Sequence, residues 1–94
     1  MMLYNETLVR KADRQIIVEE FENNDAILME LESGTIHSLN STAYAIYKLC
    51  DSTYVQNIVM SMIYMYPTVT KEKMTDAVLK CIESLLQKGL IIVE

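Results

Sequence analysis

The chain has 94 residues, enough for one compact domain over residues 1–94 with a modest core. Apolar residues make up 51% of it and charged residues 22%, which excludes disordered and low-complexity classes. No apolar run is long enough to cross a bilayer, and the N-terminus lacks the apolar segment of a signal peptide. We therefore expect a cytoplasmic protein without membrane association.

The formal net charge is −5, and the chain has only two arginines. Six acidic residues and no basic residue lie between positions 19 and 32. Nucleic-acid binding depends on clustered lysine and arginine, so we expect no nucleic-acid partner. The simplest interpretation of the acidic stretch is the solvated face and turns of a sheet, and the alternative is a docking surface for a basic partner.

The residues that could carry chemistry are few and far apart. Cys50 and Cys81 have no CxxC spacing, and His37 is the one histidine. A structural zinc site needs four closely spaced ligands, and histidine catalysis needs an orienting carboxylate and a nucleophile within reach. We therefore expect no catalytic residue, no metal and no cofactor, with both cysteines packed in the core.

The N-terminal part of the chain has a β pattern. β-branched and aromatic side chains predict a first strand within residues 16–21, and the polar residues 22–25 predict a turn. A second turn at residues 33–34 leads into a third strand, residues 35–39. Residues 1–14 have weaker patterning and are interpreted as a flexible arm or an extra edge strand.

Residues 26–32 alternate with period two and predict the second strand. The three strands together are expected to form an antiparallel meander. The alternation divides the second strand between two faces, with Ile27, Met29 and Leu31 on one and Glu30 and Glu32 on the other.

After Asn40 the apolar period changes to 3.6, which predicts helices. Asn40 is a good N-cap for the first helix, which is expected to end at Asp51. Residues 53–56 fit a capping box for the second helix, and Pro67 is expected to stop it.

Thr70 is the predicted N-cap of a third helix. Gly89 is expected to end it in a left-handed conformation, with Leu90 contacting Leu85 across a Schellman turn. Residues 90–93 form an apolar tail that fits a short strand. The order predicts an α+β fold, a three-stranded antiparallel sheet followed by three helices (βββααα).

Four apolar side chains fall outside the core stripe of the second helix, where lysine and glutamate are more usual. They are either scattered surface residues or a partner-binding interface. These residues are Tyr54, Met60, Tyr64 and Met65.

The beginning of the first predicted helix carries a recognisable motif. It consists of Leu39, Asn40, Ser41, Thr42 and Ala43, followed by Ile46, Tyr47, Leu49, Cys50 and Asp51. This motif resembles the hallmark of PqqD-like proteins, the leader-peptide-binding modules known as RiPP recognition elements. The resemblance extends over residues 16–92. Tyr47 stands where the family often has tryptophan, and Ser52 where it often has glycine.

The resemblance implies a winged-helix-like domain that binds a peptide and does not catalyse a reaction. The leader of a precursor peptide would lie as an added strand along the third strand, in a cleft closed by the third helix, and would be delivered to a radical-SAM protein or a leader peptidase. The strand residues carried over from the family are Thr35, Ile36, His37, Ser38 and Leu39. The helix residues are Lys73, Asp76, Ala77, Lys80, Cys81 and Ser84.

Two alternatives stay open at the level of sequence. Three helices and a small sheet can also form a winged-helix transcription regulator, but the lysines of the third helix are nearly balanced by acids and it has no arginine to read guanine. A structural subunit that forms a homodimer is the other alternative.

Overall fold

The computed structural model describes residues 6–94. Within these residues, the chain forms six strands and three helices. In chain order these are β1 (Leu8–Lys11), β2 (Ile16–Glu20), β3 (Ala26–Glu30), β4 (Ile36–Leu39), α1 (Ser41–Leu49), β5 (Thr53–Tyr54), α2 (Val55–Met65), α3 (Lys71–Gln87) and β6 (Ile91–Val93).

The predicted fold class is confirmed, with an addition. Three antiparallel strands, β2, β3 and β4, precede three helices, and the fold is α+β as expected. The strands β5, β1 and β6 form a second three-stranded sheet that was not predicted as a sheet. The chain divides into two compact units, a sheet unit of Asp13–Ala45 and a helical unit that contains residues 6–12 and Ile46–Glu94.

The sheet unit contains the strands in the order β2-β3-β4. Both predicted turns are present. Asn24, between β2 and β3, has a φ of 69°, and Gly34, between β3 and β4, has a φ of 74°, a left-handed conformation that glycine adopts without strain. The Gly34 N–H donates to the Glu30 carbonyl over 2.8 Å, so β3 ends at Glu30 and not at residue 32 as predicted.

The face of β3 that points inward is the reverse of what its pattern suggests. A period-two strand ordinarily buries its apolar face. Here Leu28 is fully buried and Glu30 is 6% exposed, whereas Met29 and Leu31 are 38% and 50% exposed. Glu30 tolerates burial because two side chains distant in sequence bond to its carboxylate, as described below. The sheet unit therefore exposes apolar side chains on one face.

The second sheet belongs to the helical unit. Its central strand is β1, which pairs antiparallel with β5 and with β6. Leu8–Lys11 is thus a strand with neighbours on both sides, in contrast to the flexible arm or edge strand considered for residues 1–14; residues 1–5 lie outside the described residues. The apolar tail forms β6.

The predicted N-caps of α1 and α3 are confirmed. The Ala43 N–H donates to Asn40 Oδ1 over 2.8 Å, and the Lys73 N–H donates to Thr70 Oγ1 over 3.3 Å. Both bonds satisfy backbone donors that have no acceptor within the helix.

The C-terminus of α3 is a Schellman turn, as predicted. Gly89 has a φ of 71°, the Leu90 N–H donates to the Leu85 carbonyl, and the Gly89 N–H donates to the Leu86 carbonyl, each over 3.0 Å. Leu85 and Leu90 are both buried, which completes the motif.

The predicted capping box of α2 is wrong. Thr53 pairs with Val9 in the second sheet, and the residue at the N-cap is Tyr54, whose side chain makes no capping bond. The first-turn N–H of Val55 instead donates to the Thr7 carbonyl over 2.9 Å. Thr53 is therefore a strand residue and not the N-cap residue that a capping box requires.

The core of the helical unit lies between α2 and α3. The stripe of α2 buries Val55, Ile58, Val59 and Met62, and that of α3 buries Met74, Val78, Ile82 and Leu85. None of the helices formed by residues 6–94 has the length and apolar character needed to span a membrane.

Candidate functional site

The strand β4 lies at one edge of its sheet, and a single bond fixes the direction of its backbone groups. The Glu30 N–H donates to the Thr35 carbonyl over 2.9 Å. In an antiparallel pair, residues alternate between those that bond to the partner strand and those that do not. Since Leu28 pairs with His37 and Ala26 pairs with Leu39, the residues of β4 that bond to β3 are His37 and Leu39.

Ile36 and Ser38 therefore direct their N–H and C=O groups away from β3. No strand within residues 6–94 pairs with this side of β4. Such an edge can accept another strand, with main-chain hydrogen bonds at alternate residues. The open edge thus offers two donors and two acceptors.

The other edge of the same sheet is β2. The Leu31 N–H donates to the Gln15 carbonyl over 3.0 Å, so the same alternation makes Ile17 and Glu19 bond to β3. Val18, between them, directs its N–H and C=O groups to the open side of β2.

Charge distinguishes the two edges. β2 carries Glu19 and Glu20, with Glu22 just beyond it, whereas β4 has no acidic residue, lysine or arginine. Charged side chains on an edge strand discourage pairing with another chain. β4 is therefore the edge better suited to accept a peptide.

The side chains of β4 divide between two faces. Ile36 and Ser38 are exposed, and the exposed fraction of Ile36 is 59%. Leu39 is buried, and the His37 side chain is only 10% exposed. His37 and Leu39 therefore lie on the buried face of the sheet.

His37 belongs to a small cluster around Glu30. Its Nε2 lies 2.7 Å from Glu30 Oε2, and Arg14 Nη1 donates to Glu30 Oε1 over 2.5 Å. Two hydrogen bonds hold the pKa of Glu30 below its ordinary value, with the larger effect from His37 and the smaller from Arg14. This cluster could not be predicted from the sequence, because Arg14 is sixteen residues from Glu30 and no local spacing links them.

The predicted residues of α3 lie along one flank of the helix, because each is three or four residues from another member of the set. We call this set the α3 flank; it consists of Lys73, Asp76, Ala77, Lys80, Cys81 and Ser84. Of these, Cys81 is partly buried, and burial raises the pKa of its thiol.

Asp76 lies at one border of the α3 flank, one turn from both Lys73 and Lys80. It lines a shallow depression of about 380 Å³ together with Lys71 and Thr75. Its carboxylate pairs with Lys80 Nζ over 3.0 Å, and both side chains are well exposed. An exposed pair of this kind adds little stability.

All four predicted partner-binding residues are exposed, and three of them lie on α2. Met60 and Tyr64 are one turn apart and exposed, Tyr64 by 89%. Tyr54 belongs to β5, and Met65 is the last residue of the helix. The sequence placed all four on one helix because the strand β5 is too short to recognise from its pattern.

Both cysteines are free thiols whose pKa is raised by burial. Cys50 is fully buried, and burial raises the pKa of its thiol to about 12, so it remains protonated. Among residues 6–94, no three or more His, Cys, Asp and Glu side chains are grouped in a way that could hold a metal ion.

Residues 25–91 match the family model "Coenzyme PQQ synthesis protein D (PqqD)". The chain belongs to the PqqD family. The matched region contains β4, the three helices and the motif from Leu39 to Asp51. No curated protein matches this PqqD-family chain.

The chain is also similar to a solved structure, that of TbiB1 in complex with the TbiA(beta) leader peptide. The TM-score is 0.73 and the sequence identity is 18%, with 87% of this chain and 93% of TbiB1 covered. At this identity, the likeness establishes a shared fold.

Proposed function

We propose that this PqqD-family chain binds the leader of a ribosomally made precursor peptide as an added strand on β4. It acts as a binding protein in the cytoplasm, without catalysing a reaction, and delivers the peptide to a modifying enzyme such as a radical-SAM protein or a leader peptidase. The observation that carries this proposal is the uncharged edge of β4, where the outward backbone groups of Ile36 and Ser38 pair with no strand within residues 6–94. Membership of the PqqD family and the leader-peptide complex of TbiB1 support it.

The main chain supplies part of the affinity in this mechanism. Each backbone hydrogen bond at Ile36 or Ser38 contributes about 0.5–1.5 kcal/mol net. Thr35, His37 and Leu39 help by holding β4 against β3. From the family resemblance we also propose the α3 flank as a set of peptide-binding residues. Met60 and Tyr64 are the residues of α2 best exposed to meet the modifying enzyme.

The experiment is a calorimetric titration of the leader encoded by a short precursor gene beside the gene for this chain. Ser38→Pro removes one outward N–H and obstructs strand pairing. We therefore expect the dissociation constant of the leader to rise at least ten-fold, and each factor of ten corresponds to about 1.4 kcal/mol of binding free energy. The strand itself should survive, because this N–H does not bond to β3.

The matched control is Val18→Pro, which removes an outward N–H from the acidic edge of the same sheet. It should leave the affinity unchanged. Circular dichroism confirms that both variants fold. If folded Ser38→Pro binds the leader as tightly as the parent, the leader does not pair with β4.

The α3 flank is tested in the same titration. Lys73→Glu and Lys80→Glu should weaken an acidic leader, with a larger effect at low ionic strength because exposed charges are screened by salt. Unchanged affinity in both variants would remove the two lysines from the binding site.

A further inference from the structure

One face of the sheet β2-β3-β4 carries apolar side chains in register. Ile17 pairs with Met29, and Met29 pairs with Ile36, so the three side chains stand next to each other across the three strands. Their exposed fractions are 53%, 38% and 59%. We call these three residues the apolar row.

The apolar row ends at the open edge. Ile36 belongs both to the row and to the pair of residues that direct backbone groups outward. A strand added to β4 places alternate side chains on each face of the sheet, so one of its side chains must stand beside Ile36. That position continues the apolar row by one residue.

We propose that the leader peptides bound by this chain carry a large apolar side chain at the position beside Ile36. The inference rests on the proposed strand addition and names the class of peptide that the edge selects. An aliphatic or aromatic side chain there removes apolar surface of Ile36 from water, whereas a charged one gains no partner. The next position on the same face stands beside Ser38, in a row with Glu19 and Ile27, and accepts polar residues.

The test is a selection of short random peptides displayed on phage against the immobilised full chain. One position of the enriched peptides should be apolar. In a parallel selection, Ile36→Lys should replace the apolar residue with aspartate or glutamate at that same position. Ile36→Thr, which keeps a β-branched residue, should only relax the preference and serves if the lysine variant does not fold.

The matched control is Ile17→Lys, at the far end of the apolar row. It makes the same change on the same face, but two strands away from the edge. The enriched peptides should keep their apolar residue. In a binding assay with the best selected peptide, replacing its apolar residue by lysine should weaken binding to the parent chain about ten-fold.

The outcomes separate this inference from the proposed function. If Ile36→Lys and the parent select the same peptides while Ser38→Pro selects none, the proposed strand addition is supported and the preference for an apolar residue beside Ile36 is refuted. If Ser38→Pro selects the same peptides as the parent, or if the parent selects none, both the strand addition and the preference for an apolar residue are refuted.

Discussion

The sheet unit and the helical unit differ in charge and in where their apolar side chains lie. Residues 13–45 contain seven acidic residues and one arginine, for a formal charge of −6, and the rest of the chain carries +1. The helical unit buries four apolar side chains on each of α2 and α3, whereas Ile17, Met29 and Ile36 of the sheet unit are exposed. The helical unit therefore supplies much of the buried core, and in the proposed function the sheet unit presents the surface that binds the peptide.

The largest effect expected from this difference concerns two isoleucines. Ile82 is fully buried on α3, whereas Ile36 is 59% exposed on β4. Ile82→Ala should lower the free energy of unfolding by about 2–5 kcal/mol, and Ile36→Ala by about 0.5 kcal/mol or less. Denaturant unfolding of the two variants measures both values. Equal losses would contradict the division between stability and binding.

The helices were predictable from sequence because their signals are local. Asn40 and Thr70 cap the helices that follow them, and Gly89 ends α3, each through bonds to residues at most five positions away. These features depend on the chain near each residue and not on the fold around it.

The buried face of β3, the outward backbone groups of β4 and the N-terminus of α2 could not be predicted, because they depend on pairing between residues distant in sequence. Glu30 can lie on the inward face of β3 because Arg14 and His37 bond to it from outside its strand. The residues of β4 whose N–H groups point outward could not be assigned without the strand register. From sequence alone, His37 and Ser38 were therefore equally good candidates for the residue that donates its N–H to the peptide. Thr53 failed as a cap because it pairs with Val9, a residue 44 positions away.

A smaller effect is expected at the end of α3. Gly89→Val should destabilise the chain by about 1–2 kcal/mol, because a β-branched residue is strained at positive φ. Gly89→Asn is the control, since asparagine tolerates this conformation. The midpoints of thermal unfolding compare the two variants. A valine variant as stable as the parent would refute the role of the cap.

Acid should act on the sheet unit through Glu30. Its pKa is lower in the folded chain than its ordinary value of 4.5, so protonation favours the unfolded state. The stability it contributes is present above pH 4.5 and is lost as the pH falls through the folded value. The free energy of unfolding of Glu30→Gln should therefore depend less steeply on pH in this acidic range than that of the parent.

The control for Glu30 is Glu32→Gln, which removes an exposed carboxylate two residues away. It should leave the acid-dependent decline as steep as in the parent. Denaturant unfolding as a function of pH follows all three proteins. If Glu30→Gln and the parent lose stability in parallel, the cluster does not stabilise the folded chain.

The most direct test of the central claim is residue-resolved amide hydrogen exchange with and without the leader peptide. The amides of Ile36 and Ser38 should exchange fast in the free chain and slowly in the complex, because the peptide then accepts their hydrogen bonds. The amide of His37 should already be protected by β3, and that of Val18 should be unchanged. If the amides of Ile36 and Ser38 exchange equally fast at saturating leader, or if Val18 is protected in their place, the leader does not bind as a strand on β4.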